Sequence, residues 1–107
     1  MVMKKYYSVT FVAKPEIVES YGGLLQAYAR EVLHSIFSLS KDDLKEKLSK
    51  ISEVDAVTFL KDGQRVKVYV DWHTHFKWLA LSRRYKRHVQ YLINQMLLEK
   101  LKEVDVW

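Results

Sequence analysis

The chain has 107 residues, is 49% hydrophobic and carries a net charge of +5, which together predict one folded domain over residues 1–107. The absence of cysteine excludes disulfides, thiolate metal sites and cysteine nucleophiles. No apolar run approaches the roughly 20 residues of a membrane span, and no signal-peptide pattern begins the chain. We therefore expect a cytoplasmic protein with no membrane partner. The content of lysine, glutamate and tyrosine is typical of thermophiles.

The first half of the chain predicts a strand followed by two helices. The stretch KKYYSVTFVAK is rich in β-branched and aromatic residues and predicts the strand, which Pro15 ends. Apolar residues at helical spacing predict a helix over residues 16–36, and Gly22-Gly23 interrupts it. Ser40 is typical of a helix N-cap and predicts a second, short helix after it.

The clearest local signal is a predicted hairpin in VDAVTFLKDGQRVKVYVDW. Asp62-Gly63 joins two strand-like runs, and this dipeptide favours a type I′ turn because both turn positions need φ above zero. Alternation along the second run separates a core face from an outer face. The core face holds Val66, Val68, Val70 and Trp72, and the outer face holds Arg65, Lys67, Tyr69 and Asp71.

A long helix is predicted from Phe76 to Lys100, and the alternating tail KEVDVW predicts a further short strand. The order is then β-α-α-β-β-α with a short last strand. This is the pattern of a ferredoxin-like (split βαβ) sandwich, an α+β fold with helices packed on one face of an antiparallel sheet. Without the last strand the chain is a three-stranded α+β layer.

The late part of the last helix is unusually apolar. Leu98 and Leu101 fall on the same side as Arg83 and Arg87, a side that a lone surface helix keeps polar. Together with Trp107, these residues predict a homodimer through the end of the helix and the C-terminus.

A metal site is one interpretation of VYVDWHTHFKW. If the strand continues past Trp72, then Asp71, His73 and His75 project from one face, and a carboxylate with two imidazoles can bind a divalent cation. The alternative is a strand-to-helix junction. There His73 and Thr74 serve as polar caps, with Thr74 as the N-cap, while aromatic residues pack the corner, namely Trp72, Phe76 and Trp78.

The spacing of His73 and His75 also resembles the His-hydrophobe-His motif of the HUH nucleases, which have a ferredoxin-like core. The resemblance implies a metal-dependent endonuclease that uses Mn²⁺ or Mg²⁺. It also implies a tyrosine nucleophile on the following helix, for which Tyr85 and Tyr91 are the candidates.

A basic run lies in the last third of the chain. No acidic residue occurs from Trp72 to Leu98, and the five basic residues of this segment equal the whole net charge. On a helix the last four of them spread around more than half of the surface, which suits contact with a phosphate backbone, although a solvated helix face has the same composition. The five residues are Lys77, Arg83, Arg84, Lys86 and Arg87.

The outer sheet face is a second candidate surface. Arg65, Lys67 and Tyr69 combine positive charge with an aromatic ring, as surfaces that bind single-stranded nucleic acid do. One alternation of the first strand adds Tyr6, Ser8 and Thr10 to this face. A solvated outer face or a dimer interface is the alternative interpretation.

These signals favour a small basic protein that binds DNA or RNA mainly through electrostatic contacts, without a cofactor and without catalysing a reaction. One alternative is the HUH-like endonuclease. The other is a protein–protein interaction module, a regulator or inhibitor, that docks an acidic partner.

Overall fold

Two antiparallel strands form the centre of the structure, and helices pack against one face and both edges. The computed structural model describes residues 7–104. β1 (Tyr7–Ala13) pairs with β2 (Gln64–Val70) along its whole length, with Val9 opposite Val68. Residues 7–104 contain these two strands and no third. The protein therefore combines helix and sheet, and helix predominates.

Six helices make up most of the described part of the chain. No helix between residues 7 and 104 has both the length and the apolar character of a membrane-spanning segment. Short 3₁₀ turns occur at Gly22–Leu24, between the first two helices, and at Phe59–Asp62, directly before β2. The helices are α1 (Pro15–Tyr21), α2 (Leu25–Phe37), α3 (Lys41–Ser49), α4 (Glu53–Thr58), α5 (Trp72–Leu79) and α6 (Arg83–Val104).

The predictions for residues 7–40 are confirmed, and the start of the predicted strand, residues 4–6, lies outside the described residues. Pro15 stands in the first turn of α1, directly after β1. Gly22 has a φ of 54°, a left-handed conformation that glycine adopts without strain, and its amide donates to Val18 O and ends α1. The Ser40 hydroxyl accepts a hydrogen bond from Asp43 N at 3.1 Å and begins α3.

The predicted hairpin is wrong, because its first strand is helical. Ser52 accepts a hydrogen bond from Asp55 N at 3.1 Å and begins α4. Ala56 and Phe59 are both buried, and their spacing of three places them on one side of a helix. The cap and this spacing outweigh the β-branched composition of the segment.

Gly63 does not form the predicted type I′ turn, and the structure gives another reason for a glycine at this position. Its φ of −85° is not the left-handed conformation of a type I′ turn. A Cβ at this position would overlap Cγ1 of Val12, so the close approach of β1 accounts for the glycine. β2 therefore follows a 3₁₀ turn and pairs with β1, and the predicted inward alternation of Val68 is confirmed.

The predicted long helix is two helices. Asp71 accepts a hydrogen bond from Thr74 N at 3.2 Å and begins α5, which ends at Leu79. The Ser82 hydroxyl accepts a hydrogen bond from Tyr85 N at 3.3 Å where α6 begins. Two N-caps in one segment give two helices. The expectations that Trp72 belongs to the core face of β2 and that Thr74 is the N-cap are wrong for the same reason.

The ferredoxin-like sandwich is not confirmed, because the strand count differs. The segment predicted as the first strand of the hairpin forms helix α4 instead. Residues 102–104 of the predicted last strand belong to α6. Residues 105–107 lie outside the described residues. The coarser prediction of an antiparallel sheet with one face packed by helices and one face open is confirmed.

The apolar end of α6 packs within the same chain. Leu98 and Leu101 are partly buried against the core, and the Tyr21 hydroxyl of α1 donates a 2.7 Å hydrogen bond to Leu97 O. Burial raises the pKa of the Tyr21 phenol, and the nearby Tyr28 and Glu103 act in the same direction. These contacts explain the apolar residues without a second copy. Trp107 lies outside the described residues, and the homodimer stays a prediction.

Side chains of α6 satisfy the outer edge of β1. Gln90 Oε1 accepts from Val12 N at 2.8 Å, and Asn94 Nδ2 donates to Val12 O at 2.8 Å. Asn94 Oδ1 also accepts from Lys14 N at 2.9 Å. Nearer the start of the strand, His75 Nδ1 lies 2.8 Å from Ser8 O. Backbone groups that a third strand would normally bind are therefore bound by helix side chains.

Side chains of α2 do the same for the outer edge of β2. Gln26 Nε2 donates to Lys67 O, and Arg30 Nε donates to Tyr69 O at 2.8 Å. The two-stranded sheet is thus held between α2 on one edge and α5 with α6 on the other. The contacts at the edge of β1 are partly buried, where a polar group without a partner is costly, so they hold α6 in position, whereas those at β2 are exposed.

We predict that Asn94→Ala lowers the free energy of unfolding by about 2–4 kcal/mol, because it leaves Val12 O and Lys14 N without their partners in a buried setting. Urea unfolding measures the change. Gln95→Ala, at the exposed neighbouring position, is the control and should change stability by less than about 0.5 kcal/mol. Equal effects of the two variants would contradict the role of Asn94.

Candidate functional site

The structure does not bring Asp71, His73 and His75 together. They lie in the first turn of α5, where a spacing of two places His73 and His75 on opposite sides of the helix. His75 Nδ1 faces Ser8 O, and the His73 ring stacks on Trp72 with centroids 3.6 Å apart. The described residues contain no group of three histidine or acidic side chains that could hold a metal ion. This geometry gives the HUH-like alternative no support.

Asp71 is a helix cap beside a groove. The hydrogen bond from the Thr74 side chain holds the pKa of the Asp71 carboxyl below its ordinary value of 3.8. The groove has a volume of about 520 Å³ and lies between α2 and the start of α5, lined by Arg30, Glu31 and His34 among others. Its side chains carry charges of both signs, so it has no preference for an anion.

The two candidate tyrosines lie in different surroundings. Tyr85 is 39% exposed in the first turn of α6. Tyr91 is partly buried and packs edge-on against Phe59, with ring centroids 5.7 Å apart. Neither tyrosine contacts His73 or His75 in any ring pair or hydrogen bond of the described residues. Tyr91 has a packing role, and Tyr85 is available to solvent.

The basic run at the start of α6 is only partly neutralised. Arg84 Nε lies 3.5 Å from Glu53 Oε1, and an Arg87 terminal nitrogen lies 3.9 Å from the same oxygen. Two guanidinium groups therefore share one carboxylate. Arg87 Nε is buried without a hydrogen-bond partner, and Arg83 is exposed. The cluster keeps an excess of positive charge.

The two lysines of the basic run have partners inside the protein. Lys77 Nζ donates a 2.6 Å hydrogen bond to Phe37 O at the C-terminus of α2, where a cation also complements the helix dipole. Lys86 Nζ lies 5.8 Å from the centroid of the Trp78 ring. Lys77 therefore has a structural role as a helix cap, and the arginines account for most of the available charge.

Three of the four residues predicted on the outer face of β2 lie there, whereas the fourth, Asp71, follows the strand and caps α5. Arg65, Lys67 and Tyr69 are exposed on this open sheet face, with Ser8 opposite Tyr69 and Thr10 opposite Lys67. Lys67 Nζ lies 5.5 Å from the centroid of the Tyr69 ring. The guanidinium of Arg30 adds a further positive charge at the edge of β2, a residue that the sequence analysis did not select.

Known proteins offer no match from which a function could be inferred. No protein-family model, curated protein or solved structure matches the chain. What the site can do therefore follows from its exposed cations and aromatic rings.

An exposed apolar stripe on α5 was missed. Trp72, Phe76 and Leu79 are 52%, 52% and 53% exposed, and their spacing places them on one side of the helix. Trp78 is buried as expected. Trp72 and Phe76 contact each other edge-on, with ring centroids 6.0 Å apart, but stay half exposed, so they pack the corner only in part. The stripe would have been visible from the sequence if Asp71 had been identified as the N-cap, because the helix then begins at Trp72.

We predict that Asp71→Ala lowers the free energy of unfolding by about 0.5–2 kcal/mol at neutral pH, through loss of the cap. The folded pKa lies below the unfolded value, so this contribution is present above pH 3.8 and is lost as the pH falls through the folded pKa. The difference between wild type and variant should therefore shrink in acid. Thermal unfolding at neutral and acid pH measures it.

Asp71→Asn is the matched variant, because asparagine also caps helices but does not titrate. It should keep most of the stability at neutral pH. A difference between wild type and Asp71→Ala that stays constant down to strongly acid pH would contradict the role of the carboxylate.

Proposed function

We propose that the protein binds nucleic acid through two cationic surfaces and catalyses no reaction on it. The observation that carries the proposal is the balance of charge. The described residues contain two ion pairs, and both use the carboxylate of Glu53. Lys77 and Arg30 donate to backbone carbonyls, but most other basic side chains of residues 7–104 are available to an external polyanion, in a chain of net charge +5.

The first surface is the start of α6. Arg83 is exposed, and the Arg84 side chain is 67% exposed despite its contact with Glu53. An exposed ion pair of this kind contributes only about 0–1 kcal/mol, so a phosphate can compete for the guanidinium. Arginine also suits phosphate because it can donate two parallel hydrogen bonds.

The second surface is the open sheet face. Arg65 and Lys67 lie on the same face of β2 as Tyr69, whose aromatic ring is exposed there. Proteins bind single-stranded nucleic acid with two elements: cations along the phosphate backbone and aromatic rings on which bases stack. Each stacked base contributes about 1–3 kcal/mol. Affinity on both surfaces would depend mainly on phosphate contacts and weakly on sequence.

We predict that the protein binds labelled oligonucleotides and that log affinity falls linearly with log salt concentration. Removing a phosphate contact should reduce the slope by about 0.9 on duplex or about 0.7 on a single strand. Arg83→Gln and the double variant Arg65→Gln with Lys67→Gln should each reduce it. Fluorescence anisotropy at several salt concentrations is the measurement.

Lys102→Gln is the control, because it removes the same charge from the exposed far end of α6. It should leave the slope unchanged. Absence of binding to both single and double strands at low salt would refute the proposal.

Protein–protein docking through the α5 stripe is a second candidate function. Trp72, Phe76 and Leu79 expose apolar surface that a monomeric protein usually buries, and aromatic residues are enriched at protein interfaces. The partner can be a second copy of the chain or another protein. The predicted homodimer would then use α5 in place of the late part of α6.

We predict for this second candidate that Phe76→Lys abolishes self-association without unfolding the protein, because the residue is half exposed. Light scattering after size-exclusion chromatography, over a range of concentrations, measures the mass. Val54→Lys, at a position 74% exposed on α4, is the control. A wild-type protein that stays monomeric throughout would rule out the homodimer.

A further inference from the structure

A polar pocket lies between the second half of α3 and the first two turns of α6. Its volume is about 230 Å³, smaller than the roughly 300–1,000 Å³ of pockets for drug-sized ligands. The polar groups that line it are two cations, two hydroxyls and one imidazole, and no carboxylate lines it. The lining residues are Lys45, Leu48, Ser49, Ile51, Arg84, Tyr85 and His88.

His88 is the buried polar residue of this pocket. It is only 5% exposed, and its Nδ1 lies 2.8 Å from Arg84 O on the preceding turn of α6. A carbonyl oxygen only accepts hydrogen bonds, so Nδ1 carries a proton and the ring is held in one orientation. This contact leaves Nε2 as the ring nitrogen that can meet a ligand.

The cations of the pocket can turn toward an anion at low cost. Arg84 contacts Glu53 at the surface, and exposed pairs of this kind contribute little to stability. Lys45 is exposed on α3. The Ser49 hydroxyl donates to Glu46 O at 2.7 Å within its own helix, a local bond that can be exchanged for one to a ligand.

We propose that this pocket binds a single phosphate group, as a phosphate monoester. Lys45 and Arg84 supply positive charge, and Ser49 and Tyr85 supply hydroxyl donors. Because Nδ1 of His88 carries the proton, Nε2 has a lone pair and accepts a hydrogen bond from a P–OH group of the phosphate. Charge-assisted hydrogen bonds from several donors that converge are the usual means of holding phosphate. The site goes beyond the cationic surfaces because it binds one phosphate group and needs no polymer.

Titration with inorganic phosphate, and then with ethyl phosphate, tests the site on the whole chain. Amide ¹H–¹⁵N NMR signals of Ser49, Tyr85 and His88 should move and saturate. A matched titration with chloride at the same ionic strength should leave them unchanged. Signals that respond equally to chloride and phosphate, or never saturate, would overturn the proposal.

Two variants and a control locate the binding. Lys45→Met and His88→Asn should each weaken phosphate binding by about tenfold, which is ~1.4 kcal/mol. Asparagine can keep the donor to Arg84 O while it removes Nε2. Lys47→Met, on the other side of α3, should leave the affinity unchanged. If His88→Asn fails to fold, the comparison of Lys45→Met with Lys47→Met tests the site. Equal weakening of phosphate binding by these two variants would overturn the proposal.

Oligonucleotides with a 5′-phosphate or a 5′-hydroxyl identify the source of the phosphate. Tighter binding of the phosphorylated strand, lost in Lys45→Met, identifies a nucleic-acid end. Equal binding of both strands, together with saturable binding of ethyl phosphate, identifies a small phosphate ester. The pocket can thus be confirmed or refuted whether or not the sheet face binds nucleic acid.

Discussion

In a two-stranded sheet each strand has an outer edge whose backbone N–H and C=O groups have no neighbouring strand to bind. The structure depends on the side chains that form hydrogen bonds with these groups. Asn94 binds both Val12 O and Lys14 N, and Gln90 binds Val12 N, so α6 takes the place of a neighbouring strand. Gln26 does the same at β2. Because each contact joins a helix side chain to a backbone group, the helices are fixed in register with the strands as well as packed against them.

Because helices cover both edges and one face of the sheet, only some surfaces of the described residues are left exposed to solvent. The outer face of β2 stays open to solvent with Arg65 and Lys67 on it. The same contacts place the start of α6 at the surface, where Arg84 and Arg87 share Glu53. Positive charge is thus presented on a strand and on a helix terminus. The phosphate pocket lies beside the second of these surfaces.

The features predicted from the sequence are those set by neighbouring residues. Pro15, Gly22 and Ser40 act through backbone geometry or a cap a few residues away, and alternation alone identified the two faces of β2. The hairpin failed because the Ser52 cap and the buried pair Ala56 and Phe59 make its first strand helical, so Gly63 lies against Val12 instead of forming a two-residue turn.

The metal cluster and the single long helix failed for one shared reason. Asp71 was interpreted as a strand residue, although a short side chain with an oxygen before an apolar segment also begins a helix. The burial of Asn94 could not be predicted, because only the tertiary structure shows that β1 covers it. The basic run and the open face were identified because composition reveals charge directly, whereas the partners of Arg84 and Lys77 depend on the fold.

The distance in sequence between the partners of Asn94 has a consequence for how the chain folds. Lys14 and Asn94 are 80 residues apart, and β1 meets β2 only after four helices have intervened. Closing so long a loop costs entropy before any strand contact compensates for it. Helices can form early and locally, but β1 has to wait for β2, and the outer edge of β1 has to wait for Asn94. During synthesis on a ribosome, the strands can therefore pair before the helix that completes their edge has emerged.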